Sequence, residues 1–339
     1  MEALATKYRP RVFDDVVCQD NVKRVLGNQL QTREFKQAYL FCGSAGTGKT
    51  TSARIFANEV NQGKGKPIEI DGASNNGVDN VRDIIDNCKM KSLDSEYKVY
   101  IIDEVHMLSI GAFNALLKVL EEPPKGVIFI LCTTDPQKIP NTILSRVQRF
   151  DFKRIPTENI VRRLEYILEA EKIADLTVNR EALMYIAKLA DGGMRDAIMK
   201  LDTVLGYTNN ITLEATLNCL GITSYEYLYK VAQCFSRQDC LGVIQLTQDI
   251  FTEGKDLKLF IKDLAKYVLD LCKYELSGDF KLTMIPADVQ GKSKKLALEL
   301  TLDLLVEILD KLNKLIDKVK YETNPKYMIE SELMLLCRL

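Results

Sequence analysis

Tryptophan is absent from these 339 residues, and histidine occurs once, at His106. No Cys-x-x-Cys pair is present, so a zinc site cannot be assembled at the usual ligand spacings and no zinc is expected. The nine cysteines (Cys18, Cys42, Cys88, Cys132, Cys219, Cys234, Cys240, Cys272 and Cys337) are scattered along the chain. The opening MEALATKYRPRVFDD lacks the pattern of a signal peptide, so all nine read as reduced thiols. Cys42 and Cys132 fall in apolar runs and read as core. No apolar run approaches the ~20 residues that a bilayer helix needs, which predicts no membrane partner and, by default, a cytoplasmic location. A surplus of either charge is missing too: 46 basic residues stand against 47 acidic, a net charge of −1. Contact with nucleic acid would therefore have to rest on a local patch or on a ring of subunits. Repeats and low-complexity segments are also lacking. The charged fraction of 27% and apolar fraction of 46% are ordinary for a soluble globular protein, and the length allows two or three domains.

What the chain does have is a glycine-rich loop in a telling context. The apolar run Ala38–Cys42 leads into Gly43-Ser44-Ala45-Gly46-Thr47-Gly48-Lys49-Thr50, and a helical pattern opens with Thr51. Strand, glycine loop, Lys-Thr and helix together make a P-loop. Gly43, Gly46 and Gly48 let backbone N–H groups turn toward phosphates at the positive end of a helix. Lys49 suits the β- and γ-phosphates, and the Thr50 hydroxyl suits Mg²⁺. The pattern predicts ATP or GTP binding. Downstream, Lys98–Asp103 (KVYIID) is an apolar strand ending in an acid, followed at once by Glu104. Asp103 suits the Mg²⁺ role, directly or through water, and Glu104 suits a general base that polarises the attacking water. Adjacent acids after a strand would by themselves be a solvated turn; their place behind a P-loop argues for a working ATPase.

The first half alternates strand and helix patterns. Expected strands are Ala38–Cys42, Pro67–Asp71, Lys98–Asp103, Val127–Thr133 and Val147–Phe152, with helices such as Val78–Met90 and Ala112–Glu121 between them. This predicts an α/β P-loop domain with a parallel, doubly wound sheet and the ligand at the strand C-terminal ends. From Ile155 the strand signal disappears. Helices are expected at Glu158–Glu171, Asn179–Ala190, Gly193–Gly206 and Leu213–Leu220, followed by an all-helical region. There, Lys294–Tyr321 sets Leu298, Leu302, Leu305, Leu309, Leu312, Ile316 and Val319 on one continuous apolar face, either of the domain's own bundle or of a subunit interface. Gln62–Pro67 and Met284–Lys292 read as loops. The resulting division is 1–155 nucleotide-binding, 156–221 helical lid and 222–339 helical collar.

Four segments carry a closer likeness: KYRPRVFDDVV (7–17), IEIDGASNNGVDNVRDI (68–84), YIIDEVHMLSIGAFNALLKVLEEPP (100–124) and CTTDPQKIPNTILSRVQRFDFKRI (132–155). They resemble the gamma/tau family of bacterial DNA polymerase III subunits, the AAA+ motor of the sliding-clamp loader. The resemblance is dense from about residue 5 to 200; beyond 220 only helical character matches. It implies an ATP-driven subunit that opens a ring clamp when ATP binds and releases it on primed DNA after hydrolysis. Its partners would be the clamp, primed-template DNA and the other subunits of a pentameric loader. By position, Tyr8, Arg9, Pro10, Val16 and Val17 match the segment that packs around adenine. Thr134 matches sensor 1, Arg146 the arginine finger that enters a neighbour's site, and Arg195 in GGMRDA sensor 2. Ser74, Asn75, Asn76, Arg82 and Ser109 match the stretch that tracks template phosphates. Simple capping and a surface ion pair account for those five equally well.

Three departures from the family pattern stand out. The four-cysteine zinc module is missing, Val147 replaces a usual cysteine and Cys18 a usual glycine, and the resemblance is to the short gamma form, in which no polymerase- or helicase-binding tail is expected after the collar. Among alternatives, a branch-migration AAA+ protein would need a winged helix or hexamer-forming elements, and 224–339 shows no strand-rich wing. A scaffold subunit would have lost P-loop or acidic residues that this chain keeps.

Overall fold

The computed structural model describes residues 2–88, 90 and 94–339. Five strands, β1 (Ala38–Cys42), β2 (Ile68–Asp71), β3 (Lys98–Asp103), β4 (Val127–Thr133) and β5 (Gln148–Asp151), form one sheet in the order β2-β3-β4-β1-β5. All pairings are parallel, as crossovers through helices require. β2 starts one residue later than the sequence suggests, after Pro67, which has no N–H to give to the ladder.

Sixteen helices are described: α1 (Leu4–Lys7), α2 (Asp20–Thr32), α3 (Lys49–Val60), α4 (Val78–Cys88), α5 (Ile110–Glu121), α6 (Asn141–Leu144), α7 (Thr157–Glu171), α8 (Arg180–Leu189), α9 (Met194–Tyr207), α10 (Leu213–Cys219), α11 (Tyr225–Arg237), α12 (Cys240–Thr252), α13 (Leu257–Ser277), α14 (Ala287–Leu300), α15 (Leu302–Val319) and α16 (Lys326–Leu336). At the end of the expected helix Val78–Met90, Lys89 lies outside the described residues.

The central strands β1, β3 and β4 are buried on both faces, which is why they read as nearly unbroken apolar runs. Alternation sends Tyr39, Phe41, Ile101 and Ile130 into one core with Leu26, Phe56 and Val60 of α2 and α3. Leu40, Tyr100, Ile102 and Leu131 enter the other, with Val81, Phe113 and Leu116 of α4 and α5. The nucleotide-site motifs follow β1 and β3, which flank β4, so the sheet's C-terminal edge carries them on either side of that central strand.

Two compact units make up the chain. The first holds Met1–Ala174 and Ile186–Asp202, the second Asp175–Tyr185 and Thr203–Leu339. In the second, α11–α16 bury Leu228, Val231, Phe235, Phe260, Leu264, Val268 and Leu271 together with the α15 stripe. Tyr267 shares a hydrogen bond with Ser293 at 2.8 Å, satisfying both buried hydroxyls.

Three expectations need correction. Strands do not end at Ile155: Thr177–Val178 pairs in parallel with Asn210–Ile211, a pair too short to leave a period in the sequence. The stretch 294–321 is not one helix; it breaks at Thr301, whose φ of 56° and ψ of 154° no helix allows. The buried stripe of α15 is Leu305, Ile308, Leu312, Leu315 and Val319, whereas Leu298 is 60% exposed on the preceding helix. Finally, the loop expected at Met284–Lys292 ends early, because α14 begins at Ala287 behind Pro286.

Candidate active site

The P-loop wraps the N-terminus of α3. Gly46 takes φ +73°, where a side chain is strained, and a Cβ there would crowd the Gly193 Cα at 3.1 Å. Gly43, at φ +150°, lies against the Phe152 carbonyl, which a Cβ would approach to 2.5 Å. Thr47 donates its hydroxyl to the Ser44 carbonyl (2.8 Å), closing the loop on itself. The Gly46 carbonyl accepts the Met194 N–H at 2.9 Å, which ties the loop to the start of α9.

Lys49 is buried, with its ammonium on the Gly43 and Ser44 carbonyls at 2.8 and 2.9 Å. Burial pushes its pKa below the ordinary lysine value, and the charges of Glu104 and Asp103 partly offset this. Phosphate oxygens at this place would add charge that holds the lysine protonated. The Thr50 hydroxyl donates to Asp103 Oδ2 at 2.8 Å, while Asp103 Oδ1 accepts the Glu104 N–H at 3.0 Å. Glu104 itself sits at φ +47°, a left-handed turn between β3 and the short helical turn Val105–Met107. Its Oε2 accepts the Thr134 hydroxyl at 2.9 Å and lies 3.3 Å from His106 Nδ1.

One cleft gathers most of the expected nucleotide set: Tyr8, Arg9, Pro10, Val16, Val17, Gly46, Thr47, Gly48, Lys49, Thr50, Thr51, Asp103 and Arg195 line it. Gly43, Ser44 and Ala45 form the turn behind it rather than the lining. Glu104 and Thr134 stand paired beyond Asp103. Arg146 is elsewhere: its guanidinium meets Glu121 at 2.7 Å and donates to the Thr142 carbonyl at 2.8 Å.

Sequence reasoning missed several neighbours. Arg163 lines the cleft, donates to the Tyr8 carbonyl (3.1 Å) and lies over the Tyr166 ring. Arg54 lines it too and pairs with Glu69 at 2.5 Å. Buried Gln19 spans from the Thr47 carbonyl (3.3 Å) to the Lys153 carbonyl (2.7 Å) and accepts the Lys153 N–H, bracing the P-loop from behind. Only the arginine on the P-loop helix carried a sequence signal, its position one turn beyond Thr50.

The five residues set against template phosphates share one edge region but are engaged locally. Ser74 donates to Asp71 Oδ2 at 2.6 Å, holding that carboxyl below its ordinary value, and Asn75 donates to the Asp71 carbonyl. The Asn76 carbonyl accepts the Ser109 N–H, Ser109 caps α5 through the Ala112 N–H, and exposed Arg82 pairs with Asp79. All nine cysteines are unpaired. Among the described residues, no helix is long and apolar enough to cross a membrane.

Comparison with known proteins adds to this geometry. Three family models match consecutive stretches: "DNA polymerase III, delta subunit" over 67–156, "DNA polymerase III clamp loader subunit, ATPase lid domain" over 159–210, and "DNA polymerase III subunits gamma and tau domain III" over 211–339. The chain is 40% identical to DNA polymerase III subunit tau of Bacillus subtilis, with 99% of this chain and 63% of that protein aligned. It is 43% identical to the tau subunit of Escherichia coli over 60% of this chain and 34% of that one. With DNA polymerase III subunit gamma of Buchnera aphidicola from Acyrthosiphon pisum it shares 35% identity over 75% of each. The chain thus spans about two thirds or less of the tau relatives it matches. Among solved structures, the RuvB Holliday junction branch migration motor of Thermotoga maritima superposes with a TM-score of 0.53 over 67% of this chain and 78% of that one. At 21% identity that likeness shows the fold alone.

Proposed function

The chain belongs to the gamma/tau family of bacterial DNA polymerase III clamp-loader subunits, with their AAA+ ATPase fold, and from that premise we propose that it is an ATP-driven motor of a sliding-clamp loader. The observation that carries the reading is the cleft in which Lys49, Thr50 and Asp103 converge beside Glu104.

In this reading the P-loop amides and Lys49 bind the phosphates, and Tyr8 to Pro10 with Val16 and Val17 pack around the base. The Thr50 hydroxyl and the Asp103 carboxylate are hard oxygen donors side by side, a set that fits Mg²⁺. Bound there, the ion would neutralise phosphate charge as the bridging bond breaks. Glu104 takes a proton from water as the water oxygen attacks the γ-phosphorus, and the electron pair of the broken P–O bond leaves with ADP. Thr134 orients Glu104, Arg195 meets the phosphates from α9, and Arg146 serves the site of an adjoining subunit. ATP binding opens the clamp, and hydrolysis releases it on primed DNA. The stretch with Ser74, Asn75, Asn76, Arg82 and Ser109 follows the template backbone. Domains of nucleotide binding, lid and collar build a pentameric, cytoplasmic assembly containing several copies of this chain, with no zinc.

The test is ATP hydrolysis by the assembled loader with and without a cognate clamp and primed DNA. Turnover that rises only when both are present is the expected result. Turnover indifferent to them would remove clamp loading as the function.

A further inference from the structure

We propose that His106 is a positioning residue for the Glu104 carboxylate, linking it to the strand end that carries Thr133 and Thr134; this rests on the ATPase reading above. The imidazole is nearly enclosed, with a side chain 10% exposed. Its Nδ1 stands between two groups, 3.1 Å from Thr133 Oγ1 and 3.3 Å from Glu104 Oε2. The same Oε2 accepts the Thr134 hydroxyl. One carboxylate oxygen is thereby hydrogen-bonded by Thr134 at the end of β4 and approached by the imidazole from the turn after β3, and Oε1 takes no hydrogen bond among the described residues. That oxygen is the one left to receive a proton from water.

The ring nitrogen cannot serve both neighbours in the same way. A proton on Nδ1 favours the approach of the Glu104 carboxylate 3.3 Å away, whose charge would strengthen the bond as ring and carboxylate align. With the proton on Nε2, Nδ1 accepts the Thr133 hydroxyl, and the carboxylate then faces a lone pair and is driven away. Thr133 Oγ1 already accepts the Asp135 N–H at 3.0 Å, so its own proton is free to go to the ring. The choice of tautomer therefore couples the orientation of Glu104 to the hydroxyl beside Thr134. A base oriented by a third group is the arrangement by which active sites hold a proton acceptor in register.

The experiment compares wild type, Lys49→Ala, His106→Ala, His106→Asn and His106→Gln in the assembled loader, reading kcat, KM and the Kd of a fluorescent ATP analogue. Asparagine places an amide N–H near the position of Nδ1; glutamine places it a carbon further out. His106→Ala should lower kcat about tenfold to hundredfold, as misplacement of a reacting group does, with Kd within about twofold of wild type. His106→Asn should regain most of the loss and His106→Gln little. Wild-type kcat in His106→Ala overturns the proposal, and so does His106→Asn as impaired as His106→Ala with Kd unchanged. Loss of nucleotide binding in every His106 variant would mean a packing role and overturn it as well. If wild type fails to exceed Lys49→Ala, the ATPase reading itself falls, a result distinct from the others.

Discussion

In the proposed reaction Lys49 and Glu104 have different parts, one toward phosphate and the other toward water. Lys49 is buried and, among the described residues, its ammonium bonds two carbonyls, which are weaker partners than phosphate oxygens would be. Removing it in Lys49→Ala deletes charge-assisted bonds to phosphate, each worth ~1.5–3 kcal/mol, and ATP affinity should fall about a hundredfold in a fluorescence titration. Glu104→Gln keeps the shape and the bond from Thr134 but cannot take a proton. It should bind ATP as wild type does and release phosphate about 10²- to 10⁴-fold more slowly. Wild-type phosphate release by Glu104→Gln would sink the role given to that carboxylate. Residues of this kind are legible because chemistry fixes both their type and their spacing. Gln19 is not: its partners lie 28 and 134 residues away, and nothing in a single glutamine announces such a reach. The same holds for Arg163, one of two adjacent arginines on α7, of which only the fold selects the one at the cleft.

Elements were read well where burial is total and poorly where two patterns coexist. β1, β3 and β4 stand at the expected residues because strands covered on both faces leave an unmistakable apolar block. α15 shows the opposite case. A helix rich in leucine offers two stripes at 3–4-residue spacing, and the sequence does not say which one faces inward. The stripe through Leu305, Ile308, Leu312, Leu315 and Val319 is buried, while Leu309 and Ile316, expected there, are half-buried at its flank. Nor does periodicity reveal the break at Thr301: leucine spacing runs on across it through Leu298, Leu302 and Leu305, yet α14 buries Leu296, Ala297 and Leu300 and leaves Leu298 exposed. Leu312 is fully buried, so Leu312→Ala should cost about 2–5 kcal/mol in urea unfolding, by lost transfer energy and the cavity left behind. Thr301→Gly should act in the other direction. Relief of a backbone that only glycine adopts easily, of order 1–3 kcal/mol, exceeds the ~0.5–1 kcal/mol that glycine costs in entropy. A lower unfolding midpoint for Thr301→Gly would contradict the strain at that position.

At the scale of the whole molecule, the question is whether one chain holds a complete site. The cleft contains Lys49, the Thr50 and Asp103 oxygens and Arg195, yet Arg146 lies outside it, paired with Glu121 at the end of α5. An arginine that lies between α6 and β5 but does not join its own cleft has a use if a second subunit supplies the phosphates. Delocalised positive charge placed at a transferring phosphoryl group is worth ~10³–10⁵ in rate in enzymes that use such a finger. Arg146→Ala should accordingly leave ATP binding by the same chain nearly unchanged, while clamp- and DNA-stimulated hydrolysis falls by at least about 10³. The decisive measurement uses loaders built with subunits in known order. An Arg146→Ala subunit should silence the wild-type site beside it, and a Lys49→Ala subunit, dead at its own site, should still activate its neighbour. If the defect of Arg146→Ala stays with the mutant's own nucleotide, the arginine acts within its own chain, and the assembly in which each motor completes the next would have to be given up.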